Sequence, residues 1–91
     1  MKSNVHVIIT GSVQGVWFRA NTRQKAEQLG VTGWVRNTPD GNVEAIFEGE
    51  ENCVKEMVEW CHRGPPQAKI ENVEVKNQLP INGFDEFSIK Y

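Results

Sequence analysis

The stretch Gly11-Ser12-Val13-Gln14-Gly15-Val16-Trp17-Phe18-Arg19 constrains this chain more than any other. An apolar, strand-like run, Val5-His6-Val7-Ile8-Ile9, leads into it, and a helical pattern from Ala20 to Leu29 leads out. A glycine-bearing loop between strand and helix presents backbone N–H groups to one side. The helix N-terminus adds partial positive charge, and the guanidinium of Arg19 adds a planar fork of donors. Together these features suit an anion, and a phosphate in particular.

The rest of the pattern places that loop in a fold. Phe18, Thr22, Ala26 and Leu29 recur at helical spacing, and Gly30 follows as a stop. Residues 33–38 and 42–48 read as strands joined by the turn Pro39-Asp40-Gly41, where glycine accepts positive φ. Glu50 and Glu51 open a second helix, where acidic side chains favour the positive end of the dipole. Its apolar stripe is Val54, Met57, Val58 and Cys61, and Gly64-Pro65-Pro66 ends it. Ile70 to Val75 forms a fourth strand, and residues 84–91, with Phe87 and Ile89 in alternation, are a candidate fifth.

The order β-α-β-β-α-β predicts an α+β sandwich of the ferredoxin-like plan. Right-handed crossovers put both helices on one face of an antiparallel sheet. The first two strands flank a helical crossover, so they run parallel and end at the same edge. Arg19 follows the first of them and Asn37 lies near the end of the second, so the two side chains are expected to converge there.

At 91 residues the chain is expected to be a single domain, 1–91, without repeats or linkers. Its net charge of −2 conceals an asymmetry. Residues 1–36 carry five Lys or Arg against one acid, net +4, whereas residues 37–91 carry five against eleven, net −6. The first half would draw a small anion, while the overall negative charge argues against a long nucleic-acid footprint. No apolar run approaches the ~20 residues of a membrane span. Met1 to Asn4 run directly into the first strand and leave no room for a signal peptide, so a cytoplasmic location is expected, and nothing in the sequence demands more than a monomer. Cys53 and Cys61 fall eight residues apart in one predicted helix. That is roughly 12 Å of rise, against the ~7 Å limit for bridged Cα atoms, so no internal disulfide forms between them.

The loop is informative in what it lacks. A Cys-x5-Arg phosphatase loop needs a cysteine before Arg19, and none occurs. No Gly-Lys-Ser/Thr follows the glycine, and the third glycine and downstream acid of a dinucleotide fingerprint are missing. Ser12 has no adjacent base and reads as a turn residue. What remains is an anion cradle without a nucleophile, in which water must attack. Arg19 opens a helix, where the dipole disfavours a cation unless an anion joins it. Asn37 reads either as a cap of the hairpin or as an amide that orients water. His6 and His62 read as structural or surface residues. Trp17 and Phe18 are expected to shape the loop and plug the core, Trp34 to pack on the sheet and Trp60 to border the stripe of the second helix. Glu44, Glu48, Glu56 and Glu59 are expected on solvated faces.

These residues closely resemble the acylphosphatase family. The loop from Gly11 to Arg19 is similar to that family's phosphate-binding signature, and Gly33-Trp34-Val35-Arg36-Asn37 to its second motif. Asp40-Gly41, Phe47-x-Gly49 and Gly64-Pro65-Pro66 extend the likeness over nearly the whole chain, with Trp17 in a variable slot. The resemblance implies a hydrolase without metal or other cofactor that splits acyl phosphates into carboxylate and phosphate. It implies that Arg19 binds phosphoryl oxygens, that Asn37 positions water, and that backbone N–H groups of Gly15, Val16, Trp17 and Phe18 complete the cradle. The implied partner is a small acyl phosphate, with no nucleic acid or membrane.

Other readings are weaker. RNA-recognition domains share the element order but need exposed aromatics on the central strands and a basic surface. Here the first strand offers His6, Ile8 and Thr10, and the third carries Glu44 and Glu48. A similar domain begins a larger hydrogenase-maturation protein, but a chain ending just after its last strand reads as free-standing. A regulatory domain of the same plan would bind its ligand elsewhere and lack activity.

Overall fold

A computed structural model describes residues 1–78 and 80–90. The elements follow in the order β1 (Lys2–Ser12), α1 (Phe18–Leu29), β2 (Thr32–Asn37), β3 (Val43–Glu50), α2 (Glu51–Arg63), β4 (Lys69–Gln78) and β5 (Phe87–Lys90). The sheet order is β4-β1-β3-β2-β5. Ala45 of β3 lies opposite Val7 of β1 on one side and Val35 of β2 on the other, both pairings antiparallel. β1 and β2 are therefore parallel to one another, as the helical crossover requires. β4 adds antiparallel to β1, which makes the four-strand ferredoxin-like sheet expected from the sequence. The candidate fifth strand is present and pairs with β2 in parallel, Val35 opposite Ile89, so the complete sheet is mixed.

Alternation decides which face is covered. Val5, Val7 and Ile9 are buried beneath the helices, whereas His6, Ile8 and Thr10 on the other face are half-buried. α1 contributes Phe18, Thr22 and Ala26 to the core, and α2 contributes Val54, Met57 and Cys61. The helices meet where the Phe18 and Trp60 rings approach to 5.7 Å between centroids. Buried Thr22 satisfies its hydroxyl by donating to the Phe18 carbonyl at 2.7 Å. Cys53 and Cys61 both lie on α2, and burial pushes the Cys61 thiol up to about 12, which leaves it inert.

Three expectations need correction. Ser12 is not in a turn: β1 extends further than its apolar run, and Ser12 pairs with Lys69 at its end. Phe18 plugs the core, but Trp17 is 74% exposed. Glu44 and Glu48 are not on solvated faces, because each meets donors. Glu44 receives Arg36 Nε and contacts His6 Nε2, both at 2.5 Å. Glu48 is 4% exposed and accepts bonds from the Asn4 side-chain amide (2.9 Å) and from the backbone N–H groups of Asn82 (2.6 Å), Gly83 (2.9 Å) and Phe84 (3.0 Å). It thereby fastens the segment that leads into β5.

Burial opposes ionisation of both carboxylates, and the donors outweigh it. His6 and Arg36 hold Glu44 below its ordinary value, and Asn4, Asn82, Phe84 and Gly83 do the same for Glu48. A carboxylate whose folded pKa is depressed adds stability above the unfolded value of 4.5. That stability is lost as pH falls through the folded value. Glu48→Gln retains one strong acceptor oxygen in place of two and is expected to cost about 1–3 kcal/mol near neutrality. In urea titrations the variant should also lose less stability than the wild type on acidification below pH 4.5. An equal acid dependence in the two proteins would refute the role given to Glu48.

Candidate active site

β1 and β2 end at the same edge, and the site lies there. β1 shifts register against β4 at a bulge between Thr10 and Gly11 before it ends at Ser12, and a Cβ on Gly11 (φ +132°) would stand 2.1 Å from the Lys69 carbonyl oxygen. Val13 is then buried, which anchors the start of the loop. Gly15 takes φ +74° and Trp17 φ +62°, so the chain turns sharply before Phe18 begins α1. The first helical bond runs from the Asn21 N–H to the Trp17 carbonyl at 3.0 Å, and the Asn21 side-chain amide donates to the same oxygen at 2.8 Å. The N–H groups of Phe18, Arg19 and Ala20 precede that first bond and have no intrahelical acceptor. No acidic side chain occupies the first turn of α1.

Gln14 ties this loop to the neighbouring hairpin. Its side-chain amide donates to the carbonyls of Thr38 and Asn42, each at 2.8 Å. The hairpin itself is closed by the Thr38 N–H to the Asn42 carbonyl (2.9 Å) and by the Gly41 N–H to the Thr38 carbonyl (3.2 Å). Asn37, the last residue of β2, is thus held beside the loop by backbone pairing on one side and by Gln14 on the other. Arg19 Nη1 reaches the carbonyl of Lys90 at 3.4 Å, which brings β5 to the same place.

These elements enclose a cavity of about 270 Å³ lined by Val13, Gly15, Trp17, Phe18, Arg19, Ala20, Asn37 and Ile89. Of the residues expected from the sequence, Gly15, Trp17, Phe18, Arg19 and Asn37 come together there. Val16 does not line it, and its side chain packs against the core instead. Gln14, Ile89 and the Lys90 carbonyl were not expected. Ile89 was visible only as a beat in the alternation of the last strand. Among the described residues, no group of three or more His, Cys, Asp or Glu is placed to hold a metal ion, and no helix is long and apolar enough to cross a membrane. His6 and His62 lie outside the cavity, His6 against Glu44 and His62 against the Val58 carbonyl.

The fold and its cavity define a ferredoxin-like α+β domain with a cleft beside the first strand–helix turn. The sequence profile of the acylphosphatase family matches residues 5–89, and the chain belongs to that family. It is 55% identical over 94% of its length to the acylphosphatase of Rubrobacter xylanophilus, covering 78% of that protein. It is 47% identical to the acylphosphatase of Pelotomaculum thermopropionicum, over 99% of this chain and 98% of that one. The crystal structure of acylphosphatase from Bacillus subtilis superposes with a TM-score of 0.93 at 36% identity, over all of both chains. Membership makes the chain an enzyme that hydrolyses acyl phosphates.

The loop–hairpin tie makes its own prediction. Gln14→Ala removes both amide bonds and leaves the Thr38 and Asn42 carbonyls only their backbone bonds within the hairpin. A loss of about 1–3 kcal/mol is expected in chemical denaturation, with faster amide exchange in residues 14–18.

Proposed function

We propose that the cavity at the β1–α1 turn is the catalytic site and that it works by positioning and charge alone. The observation that carries this reading is the meeting of Arg19 and Asn37, eighteen residues apart in sequence, in one cavity with the loop that opens α1. The phosphoryl group sits on the N–H groups of Gly15 to Phe18, and the guanidinium of Arg19 grips two of its oxygens. The Asn37 amide orients a water against phosphorus. The water oxygen bonds to phosphorus while the bond from phosphorus to the acyl oxygen breaks, and its electron pair leaves with the carboxylate. The proton of the water passes to a phosphoryl oxygen. This accounts for a cavity lined, among the described residues, by no histidine, carboxylate or cysteine. A carboxylate is a good leaving group, so stabilising equatorial charge and fixing the nucleophile supply the catalysis.

The charge pattern supports the same reading. The first 36 residues, with net charge +4, contain the whole loop, so a dianionic substrate is drawn toward the half that binds it. We place this activity in the cytoplasm, on a small free substrate, with a monomeric enzyme of a single domain.

Benzoyl phosphate hydrolysis in the presence of a chelator tests the proposal. Arg19→Ala should lose about 3–4 kcal/mol or more of transition-state stabilisation, read from kcat/KM. Arg19→Lys should recover little of it, because an ammonium cannot reproduce the bidentate fork. Asn37→Ala should lower kcat far more than it raises KM while circular dichroism remains that of the wild type. Near-normal turnover in Arg19→Lys would refute the bidentate grip, and abolition of wild-type activity by the chelator would refute a mechanism without metal.

A further inference from the structure

We propose that Trp17 is the specificity-determining residue for the acyl half of the substrate, its indole forming an apolar platform at the mouth of the cavity. The proposal rests on the catalytic reading above.

Among the described residues Trp17 is the only non-glycine with positive φ, at +62°. A bulky aromatic in that region is strained, and strain of this kind persists where the surroundings enforce it. Here they do. The Trp17 carbonyl accepts from both the backbone and the side chain of Asn21. Val13 and Phe18, both buried, fix the loop on either side. The indole obtains no core burial in return, since Trp17 remains 74% exposed. Folding therefore does not explain a tryptophan at this position.

The cavity does. Its lining combines two chemistries: polar groups from the loop, Arg19 and Asn37, and apolar surface from Val13, Ala20, Ile89 and Trp17. An acyl phosphate is divided in the same way, with a dianionic head and an apolar remainder. At about 270 Å³ the cavity lies near the lower end of ligand-sized pockets, which start at about 300 Å³. The polar groups account for the phosphoryl head, and the apolar residues remain for the group attached to the leaving carboxylate. Trp17 is the largest of them and, being pinned through its backbone, is pre-organised to stack on a flat acyl group. Aromatic acyl phosphates are the class this surface favours over acetyl phosphate.

The test is the ratio of kcat/KM for benzoyl phosphate to that for acetyl phosphate in wild type, Trp17→Phe and Trp17→Gly. A drop of about tenfold in the ratio is expected for Trp17→Gly, equivalent to about 1.4 kcal/mol. Trp17→Phe should keep most of it. A loop merely loosened by the substitution would slow both substrates alike and leave the ratio in place. Glycine accepts the left-handed backbone, so the Tm of Trp17→Gly should equal or exceed that of the wild type. A ratio in Trp17→Gly within twofold of the wild type would overturn the proposal, whatever the Tm. Calorimetric binding of phenylphosphonate against methylphosphonate separates this claim from the catalytic one. If the wild type hydrolyses neither acyl phosphate yet prefers phenylphosphonate through Trp17, the catalytic reading fails and the aromatic subsite stands. If phenylphosphonate shows no dependence on Trp17, the subsite fails while hydrolysis can remain.

Discussion

Everything at the functional edge depends on β3 lying between β1 and β2. Ala45 touches Val7 through one ladder and Val35 through the other, and all three are fully buried. Because both ladders are antiparallel, β1 and β2 must point the same way. A one-residue slip in either would turn its buried side chains to the open face, so the register is held by the whole apolar set rather than by any single bond. The consequence is chemical. The loop after β1 and the amide at the end of β2 are delivered to one edge before any side chain of the site takes part.

Register brings the segments near each other, and polar anchors then fix their distances. Two of these are long-range and only partly exposed. Gln14 bonds the carbonyls at both ends of the hairpin turn, which couples the loop to the position of Asn37. Glu48 gathers one side-chain and three backbone donors, and so fastens the approach to β5 on the far side of β2. β5 has only four residues and pairs with a single neighbour, so it is poorly supported by its own ladder. Yet it supplies Ile89 to the cavity lining and the Lys90 carbonyl to Arg19. A buried carboxylate remote from the cavity thereby shapes one wall of it.

What the sequence made legible follows from which interactions are local. Period-two alternation in Val5-Val7-Ile9 and period-3.6 spacing in Val54-Met57-Cys61 are repeated signals, and both stripes are buried as they imply. The element order and the handedness of its crossovers were enough to join Arg19 to Asn37. Side-chain bonds across long loops leave no such period. A glutamine at 14 looks like any polar loop residue, and nothing near it names Thr38 or Asn42. Glu44 and Glu48 fall on alternate strand positions that a one-sided sheet would leave wet. The segment before β5 covers Glu48, and His6 and Arg36 flank Glu44, none of which is a near neighbour in sequence. Trp17 misled for a different reason. Hydrophobicity argues for burial, but the residue lies one step before Phe18, where the chain turns left-handed and sends only the second aromatic inward.

Stability and chemistry consequently draw on different groups. Two carboxylates whose ionisation is coupled to folding, Glu44 and Glu48, both sit on β3 and do not line the cavity. Among the described residues the cavity is lined by one fixed cation, one neutral amide, backbone donors and apolar surface. In the mechanism proposed above, such a set has no side chain that must gain or lose a proton during phosphoryl transfer, so its electrostatics are set by folding and need no reorganisation during reaction. On that reading acid acts on the sheet through Glu44 and Glu48, and the chemistry within the proposed site is left to the ionisation of the substrate itself.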